Sequence, residues 1–332
     1  MIFWRGIYLP KDFPISETKN KYFKIERGQN IFQIAENLEK EGIITNRFFF
    51  DLYVILKRKE KKLQAGVYLF NSSTMNIPKI TEMIVRGETV KEKITIIEGW
   101  NLRDIGFYFE KRGMFLAKEV WELIGFPLVD YSKATNLPRP KDFSEEFPFL
   151  RDKPKNLGLE GYLFPDTYEI KMGENLEEII KKMLQNFDKK LTTELREEIE
   201  RQGKTIFEIV TMASLIEKEV KTLEDKKLVS GILWKRLENK IPLQVDATIT
   251  YITEKKTTKI SKEETKIDSP YNTYKYLGLP IGPICNPGLE SIKAVLYPEN
   301  SEYWYYLSTP TGKTIFSQTL EEHNLNKAKY LR

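Results

Sequence analysis

Apolar positions along the chain follow two periods. Residues 22–25, 64–70, 90–97, 244–251, 303–308 and 314–316 alternate apolar and polar positions, as half-buried strands do. Spacings of three and four predict helices over residues 31–41, 46–59, 77–86, 102–112, 117–124, 176–187, 192–202, 205–220, 224–238, 291–297 and 319–330. Asn30, Asn101 and the Asn76-Ile-Pro78 run read as helix starts, while Gly42 and Gly87 read as stops. The two last strands read as a hairpin across residues 310–312. Two stretches carry neither period. Residues 127–154 hold five prolines among Phe and charged residues and could border a groove; residues 269–288 are rich in Gly, Pro, Asn and Tyr. The fold class expected is α+β. Residues 1–20 read as a membrane-proximal remnant or linker, residues 21–89 as a small module, and residues 90–332 as a larger mixed α/β domain.

The helix over residues 205–220 stands apart, because its apolar stripe contains a carboxylate. Ile206, Val210, Ala213, Glu217 and Val220 share one face. A carboxyl group on a buried face is desolvated, which favours its protonated form, and a protonated carboxyl is what a general acid requires. The alternative is an interior Glu paired with Lys or Arg. Glu219, two residues on, points elsewhere.

Composition narrows the chemistry. With 332 residues and 41% hydrophobic positions the chain can bury a substantial core. A net charge of +5, from 53 basic and 48 acidic residues, does not suit a dedicated nucleic-acid binder and would suit a weakly anionic polymer or surface. Cys285 is the single cysteine and reads as inert, and His323 is the single histidine. A zinc site would lean on carboxylates alone, so none is expected, and no cofactor is implied. The start, Met1-Ile-Phe-Trp-Arg-Gly-Ile-Tyr-Leu-Pro10, reads either as the outer end of a membrane anchor or as a short strand or ordered tail, and residues 11–20 as a polar linker.

Several motifs occur together and in order: Glu98-Gly-Trp100, Leu159-Glu-Gly-Tyr-Leu-Phe-Pro-Asp-Thr-Tyr168, Ala213-Ser-Leu-Ile-Glu-Lys-Glu219, Leu243-Gln-Val-Asp-Ala-Thr248, Ser269-Pro-Tyr-Asn-Thr-Tyr274, Leu279-Pro-Ile-Gly-Pro-Ile-Cys-Asn-Pro-Gly288 and Glu322-His-Asn324. With them the chain from about residue 20 onward resembles the YceG-like endolytic murein transglycosylases. Residues 25–35 also resemble a LysM-like module. Some positions depart from the family pattern: Ile97 stands where Pro is usual, Val245 and Ala247 replace a hydroxyl residue and a Pro around Asp246, and Thr314 stands where a His is frequent.

The resemblance implies a protein of the bacterial cytoplasmic membrane. A single-pass N-terminal anchor outside this chain would hold the catalytic part on the extracytoplasmic side. Its substrate would be peptidoglycan glycan strands, cut at the β-1,4 bond between N-acetylmuramic acid and N-acetylglucosamine to leave 1,6-anhydro ends, and its partners would include peptidoglycan synthases. The catalytic acid falls on Glu217. Gln244 and Asp246, read as lying on a strand, are candidates for hydrogen-bonding the sugar amides. Tyr271, Asn272 and Tyr274 offer ring faces and an amide; Asn286, Glu160 and Tyr162 complete the candidate substrate set. Each of these also fits a core or turn role. Trp100 is a sugar platform or core, and His323 a structural contact of the last helix. Two rival functions remain at this level: a non-enzymatic peptidoglycan-binding scaffold, and a water-using muramidase with Glu219 or Asp246 as second carboxylate.

Overall fold

A computed structural model describes residues 6–8, 20–71, 75–134, 136–255 and 260–331. The start read as an anchor end or ordered tail, and the linker after it, fall almost wholly outside the described residues. Contacts divide the chain into two units: one takes the described residues up to Ile94 together with Tyr168–Asn175, and the other takes Thr95–Thr167 and everything from Leu176 onward.

In the first unit, β1 (Asn20–Ile25) and β2 (Gly66–Asn71) pair antiparallel, Asn20 opposite Asn71 and Ile25 opposite Gly66. Between them run α1 (Ile31–Lys40) and α2 (Arg47–Leu56), and α3 (Ile77–Arg86) follows. The start of α1 is fixed by a capping box. The Asn30 side chain accepts from the Gln33 amide at 3.0 Å, and the Gln33 side chain accepts from the Asn30 amide at 2.9 Å. Apolar faces from all five elements, including Phe23, Leu38, Phe50, Phe70 and Ile84, form one core. β3 (Lys91–Thr95) pairs with β4 (Thr167–Lys171). β4 was not expected; its Tyr168 and Ile170 turn inward while their neighbours stay exposed.

The second unit is mainly helical: α4 (Leu102–Lys111), α5 (Ala117–Ile124), α6 (Leu176–Lys190), α7 (Thr193–Arg201), α8 (Ile206–Glu219), α9 (Leu223–Glu238), α10 (Asp246–Thr253), α11 (Leu289–Leu296) and α12 (Leu320–Tyr330), with the hairpin β5 (Tyr305–Ser308) and β6 (Thr314–Ser317). The helix singled out by its stripe, α8, packs against α7, α9, α10 and α11. Every residue from Ile209 to Ile216 is buried, so α8 is enclosed rather than buried along one face.

Residues 244–251 differ from the strand expected. Val245, Ala247, Ile249 and Tyr251 alternate in sequence, yet Asp246–Thr253 is the helix α10 and Gln244 lies before it in left-handed backbone at φ 54°. Thr248 is also fully buried, so burial does not follow the alternation and the period of two carries no strand information.

Gly231, inside α9, allows close approach rather than an unusual turn. A Cβ there would lie 2.1 Å from the carbonyl oxygen of Glu299. Gly231→Ala ordinarily gains up to about 1 kcal/mol of helix propensity. Here the overlap with backbone dominates, and a loss of about 1–3 kcal/mol is expected. Urea unfolding of the variant checks this; an unchanged or raised midpoint would show that the 299–300 segment yields freely.

No helix among the described residues is long and apolar enough to cross a membrane.

Candidate active site

Glu217 occupies the last turn of α8 and turns its carboxylate toward the N-terminus of α11. Its Oε2 accepts from the Gly288 amide at 3.0 Å and from Ser291 Oγ at 2.6 Å, while Lys226 Nζ on α9 stands 3.6 Å away. Gly288 is the N-cap of α11, so its amide belongs to the positive end of that helix. Lys226 is buried, and the Glu217 side chain is 9% exposed. The paired interior Glu and the candidate acid are thus the same geometry. The carboxyl group is fixed on one side by two donors and a nearby ammonium and retains a narrow opening to solvent.

Glu98 lies on the other side of Gly288. Its turn is held by exchanged backbone bonds: the Gly99 amide donates to the Asn286 carbonyl at 2.9 Å and the Asn286 amide to the Trp100 carbonyl at 2.7 Å. The Glu98 carboxylate approaches Gly288 so closely that a Cβ there would sit 2.0 Å from Oε1. Burial raises the Glu98 carboxyl above the usual carboxylate range, the charge of Glu217 adds to the rise, and Lys226 opposes it. In the sequence Glu98 stands within the Glu98-Gly-Trp100 motif and Lys226 within a charge-rich predicted helix; neither position signals proximity to Glu217.

A second polar cluster adjoins the end of α8. The Ala247 amide donates to Glu219 Oε1 at 3.4 Å, Tyr306 hydrogen-bonds the same carboxyl, and Tyr274 Oη donates to Asp246. Desolvation, then the charge of Asp246, push the Glu219 carboxyl up to about 7. The Gln244 side chain is exposed and accepts from Arg236 at 2.7 Å. Gln244, Asp246 and Tyr274 are therefore together, at a helix start rather than on a strand, and Glu219 joins them.

The remaining candidates are interior. Asn286 is fully buried: its Oδ1 accepts from the Leu163 amide at 2.9 Å and its Nδ2 donates to the Trp100 carbonyl at 2.9 Å, so it clamps the Glu98 turn and does not face solvent. Asn272 Nδ2 donates to the Ile267 carbonyl at 2.7 Å and builds its own loop. Tyr162 is core, with ring centroids 5.4 Å from Phe187 and 6.1 Å from Phe149. Tyr271 packs on Tyr251 at 5.1 Å and lines, with Glu160, a cavity of about 10 Å³, room for one water. Asn286, Asn272, Tyr162 and Tyr271, candidates for the substrate set, are thus buried here with interior partners. Glu160 is buried as well. Trp100 is half-buried and packs on Tyr108 at 5.2 Å. His323 stacks on Tyr305 at 5.2 Å, and burial lowers its imidazole to about 4. Cys285 is buried with its thiol on the Ser214 carbonyl at 3.3 Å. Among the described residues no group of three or more His, Cys, Asp or Glu could hold a metal ion.

Known proteins share this sequence and architecture. The endolytic murein transglycosylase of Bacillus subtilis is 33% identical over 314 residues, covering 92% of this chain and 84% of that protein. The enzyme of the same name from Streptococcus pneumoniae serotype 2 is 32% identical over 96% of this chain, which spans 60% of its length. The crystal structure of a yceG-like protein from Listeria monocytogenes, 33% identical, superposes with a TM-score of 0.61 over 94% of this chain and all of the other. The YceG-like family model matches residues 23–329, and the chain belongs to that family.

Proposed function

We propose that this chain is an endolytic murein transglycosylase whose catalytic acid is Glu217. The observation that carries the reading is the placement of Glu217, held by the Gly288 amide and Ser291 yet open to solvent at one edge, in a chain whose relatives bear that activity in their names. The bond cut is the β-1,4 link between N-acetylmuramic acid and N-acetylglucosamine within glycan strands. Glu217 donates a proton to the glycosidic oxygen as the bond to C1 breaks. The substrate's own N-acetyl oxygen supports the electron-poor C1 from the opposite face. The carboxylate left on Glu217 then takes the O6 hydroxyl proton while O6 closes onto C1. One acid thus serves two proton transfers, first as donor and then as acceptor.

Gln244, Asp246 and Tyr274 form the polar flank on which sugar amides would bind. The β1-α1-α2-β2 order of the first unit supports the LysM-like reading and a peptidoglycan-holding role for that unit. An anchor preceding this chain would hold the enzyme at the cytoplasmic membrane facing outward, beside peptidoglycan synthases whose nascent strands it would terminate.

Mass spectrometry of peptidoglycan fragments released by the protein tests the reading. Anhydro-ended fragments, lighter by one water (about 18 Da) than hydrolytic ones, are expected because O6 rather than water closes the reaction. Reducing-end fragments would instead assign a muramidase, and no fragments at all a binding scaffold.

A further inference from the structure

α2 carries two apolar stripes, and the core of the first unit uses one of them. Phe50 and Val54 are fully buried in that core. Phe48, Leu52, Ile55 and Leu56, at positions i, i+4, i+7 and i+8, share the opposite face. Phe48 is 59% exposed, Ile55 44% and Leu56 68%, and Leu52 is half-buried. A surface helix ordinarily turns polar side chains to water, as α3 does with Lys79 and Arg86. In α2 only Arg47 and Asp51 are charged, and the other eight of its ten residues are aliphatic or aromatic. The packing of the first unit leaves this outer face unused.

The chain leaves that face directly into Lys57-Arg-Lys-Glu-Lys-Lys62. Lys57, Arg58, Lys61 and Lys62 are exposed. Among the described residues only Lys59 of this run enters an ion pair, with Glu82 at 2.6 Å. An apolar face therefore ends in a cluster of basic groups that the protein itself does not neutralise. Residues 6–8 approach the flank of the same helix. A Cβ on Gly6 would lie 2.4 Å from the Phe49 ring, and Phe49 stands edge-on to Phe48 with centroids 5.9 Å apart.

We propose that the outer face of α2 and the basic run after it seat the first unit on an anionic lipid surface. Phe48, Ile55 and Leu56 enter the boundary between headgroups and acyl chains, while Lys57, Arg58, Lys61 and Lys62 meet lipid phosphates. The pairing of apolar and basic groups selects this occupant. A glycan strand is polar along its length and gives Ile55 and Leu56 little to bury against. A second copy fits poorly as well: with Arg47 at one end of the face and Lys57 and Arg58 at the other, two-fold pairing brings like charges together whichever way the helices run. The inference deepens the membrane-held reading above. An anchor leading into residue 6 would arrive beside Phe48 and Phe49, and the docked face would fix the first unit against the bilayer instead of leaving it to swing on a tether.

Co-sedimentation with phosphatidylglycerol vesicles tests this, for the wild type, for Ile55→Gln with Leu56→Gln, and for Lys57→Gln with Lys61→Gln and Lys62→Gln. The wild type should bind these vesicles, bind phosphatidylcholine vesicles more weakly, and be released by salt. The apolar pair should weaken binding at least about tenfold. The lysine triple should weaken it about a hundredfold, at about fivefold for each charge near the surface. All five positions are exposed, so urea midpoints should stay at the wild-type value. A wild type that does not bind phosphatidylglycerol, that binds both lipids equally, or that binds no better than the two variants overturns the proposal. Soluble glycan strands that displace the wild type from vesicles would assign the face to peptidoglycan instead, and a dimer that only the apolar pair dissolves would assign it to a second copy. Lipid binding requires no cleavage, so Glu217→Gln should bind as the wild type does. Lipid binding without anhydro fragments removes the transglycosylase reading alone, and fragments from a protein that ignores vesicles remove the docking face alone.

Discussion

Glu217→Gln is expected to lose glycan cleavage by at least a factor of about 10²–10⁴, the range that one positioned general acid–base contributes. The amide retains an oxygen for the Gly288 amide and Ser291, so local shape is kept. It can neither donate a proton to the leaving oxygen nor accept one from O6, so both steps fail together. The substitution also leaves Lys226, buried and 3.6 Å away, without its closest carboxylate. A stability loss of about 1–3 kcal/mol should accompany the loss of activity. Glu217→Gln combined with Lys226→Met should recover stability and remain inactive. That pair of results separates chemistry from folding: fragment analysis reads the first, urea unfolding the second. Cleavage by the stable double variant at a rate near wild type would remove Glu217 from the mechanism.

Stability should fall as pH rises from about 5 to 8, and Glu160→Gln should remove most of that fall. Both Glu160 oxygens accept from the Leu102 amide at 3.1 Å, and Oε2 also accepts from Tyr251 Oη at 2.9 Å. Burial outweighs these bonds and pushes the carboxyl up to about 8 from an ordinary 4.5. Between those values the folded protein keeps a proton that the unfolded chain has released. Stability from this group is therefore complete below about pH 4.5 and lost by about pH 8, and the span corresponds to something on the order of 5 kcal/mol. Glu219, raised to about 7, has the same sign and leaves a smaller slope in the variant. Urea unfolding of both proteins at pH 5, 6.5 and 8 provides the check, and an equal slope in the two would show that water reaches Glu160.

Much of the helical framework was legible because its signals are local. α5 spans Ala117–Ile124 as the apolar spacing predicts, and Asn101 caps α4 with its side chain on the Asp104 amide at 3.0 Å. Failures came where distant partners decide. β4 is five residues long and becomes a strand by pairing with β3 across a long insertion. Residues 244–251 alternate like a strand, but Ala247, Thr248 and Ile249 are all buried in succession, so tertiary packing overrides the period. At the site, the spacing of α8 placed Glu217 among apolar neighbours. It could not show that Lys226, nine residues on in a row of charges, folds back under it, or that Glu98 reaches the same glycine. Tyr162, Asn272 and Asn286 were polar or aromatic residues in motif-rich stretches, and nothing local distinguishes a side chain that lines a groove from one that builds its wall.

The first unit is assembled from two stretches of chain, and this gives synthesis on the ribosome an order. The core described above draws on residues between Phe23 and Ile84, so it can close soon after those leave the exit tunnel. β3 must then wait for β4 while residues 95–167 are made. At about 5–20 residues per second the wait is several seconds, long compared with hairpin formation. During it the nascent chain presents an open strand edge at Lys91–Thr95, whose two lysines and Glu92 are the kind of charges that discourage wrong pairing. Deleting residues 168–175 would make that interval permanent, and the expected product is a chain that folds its N-terminal core yet associates through an unpaired β3.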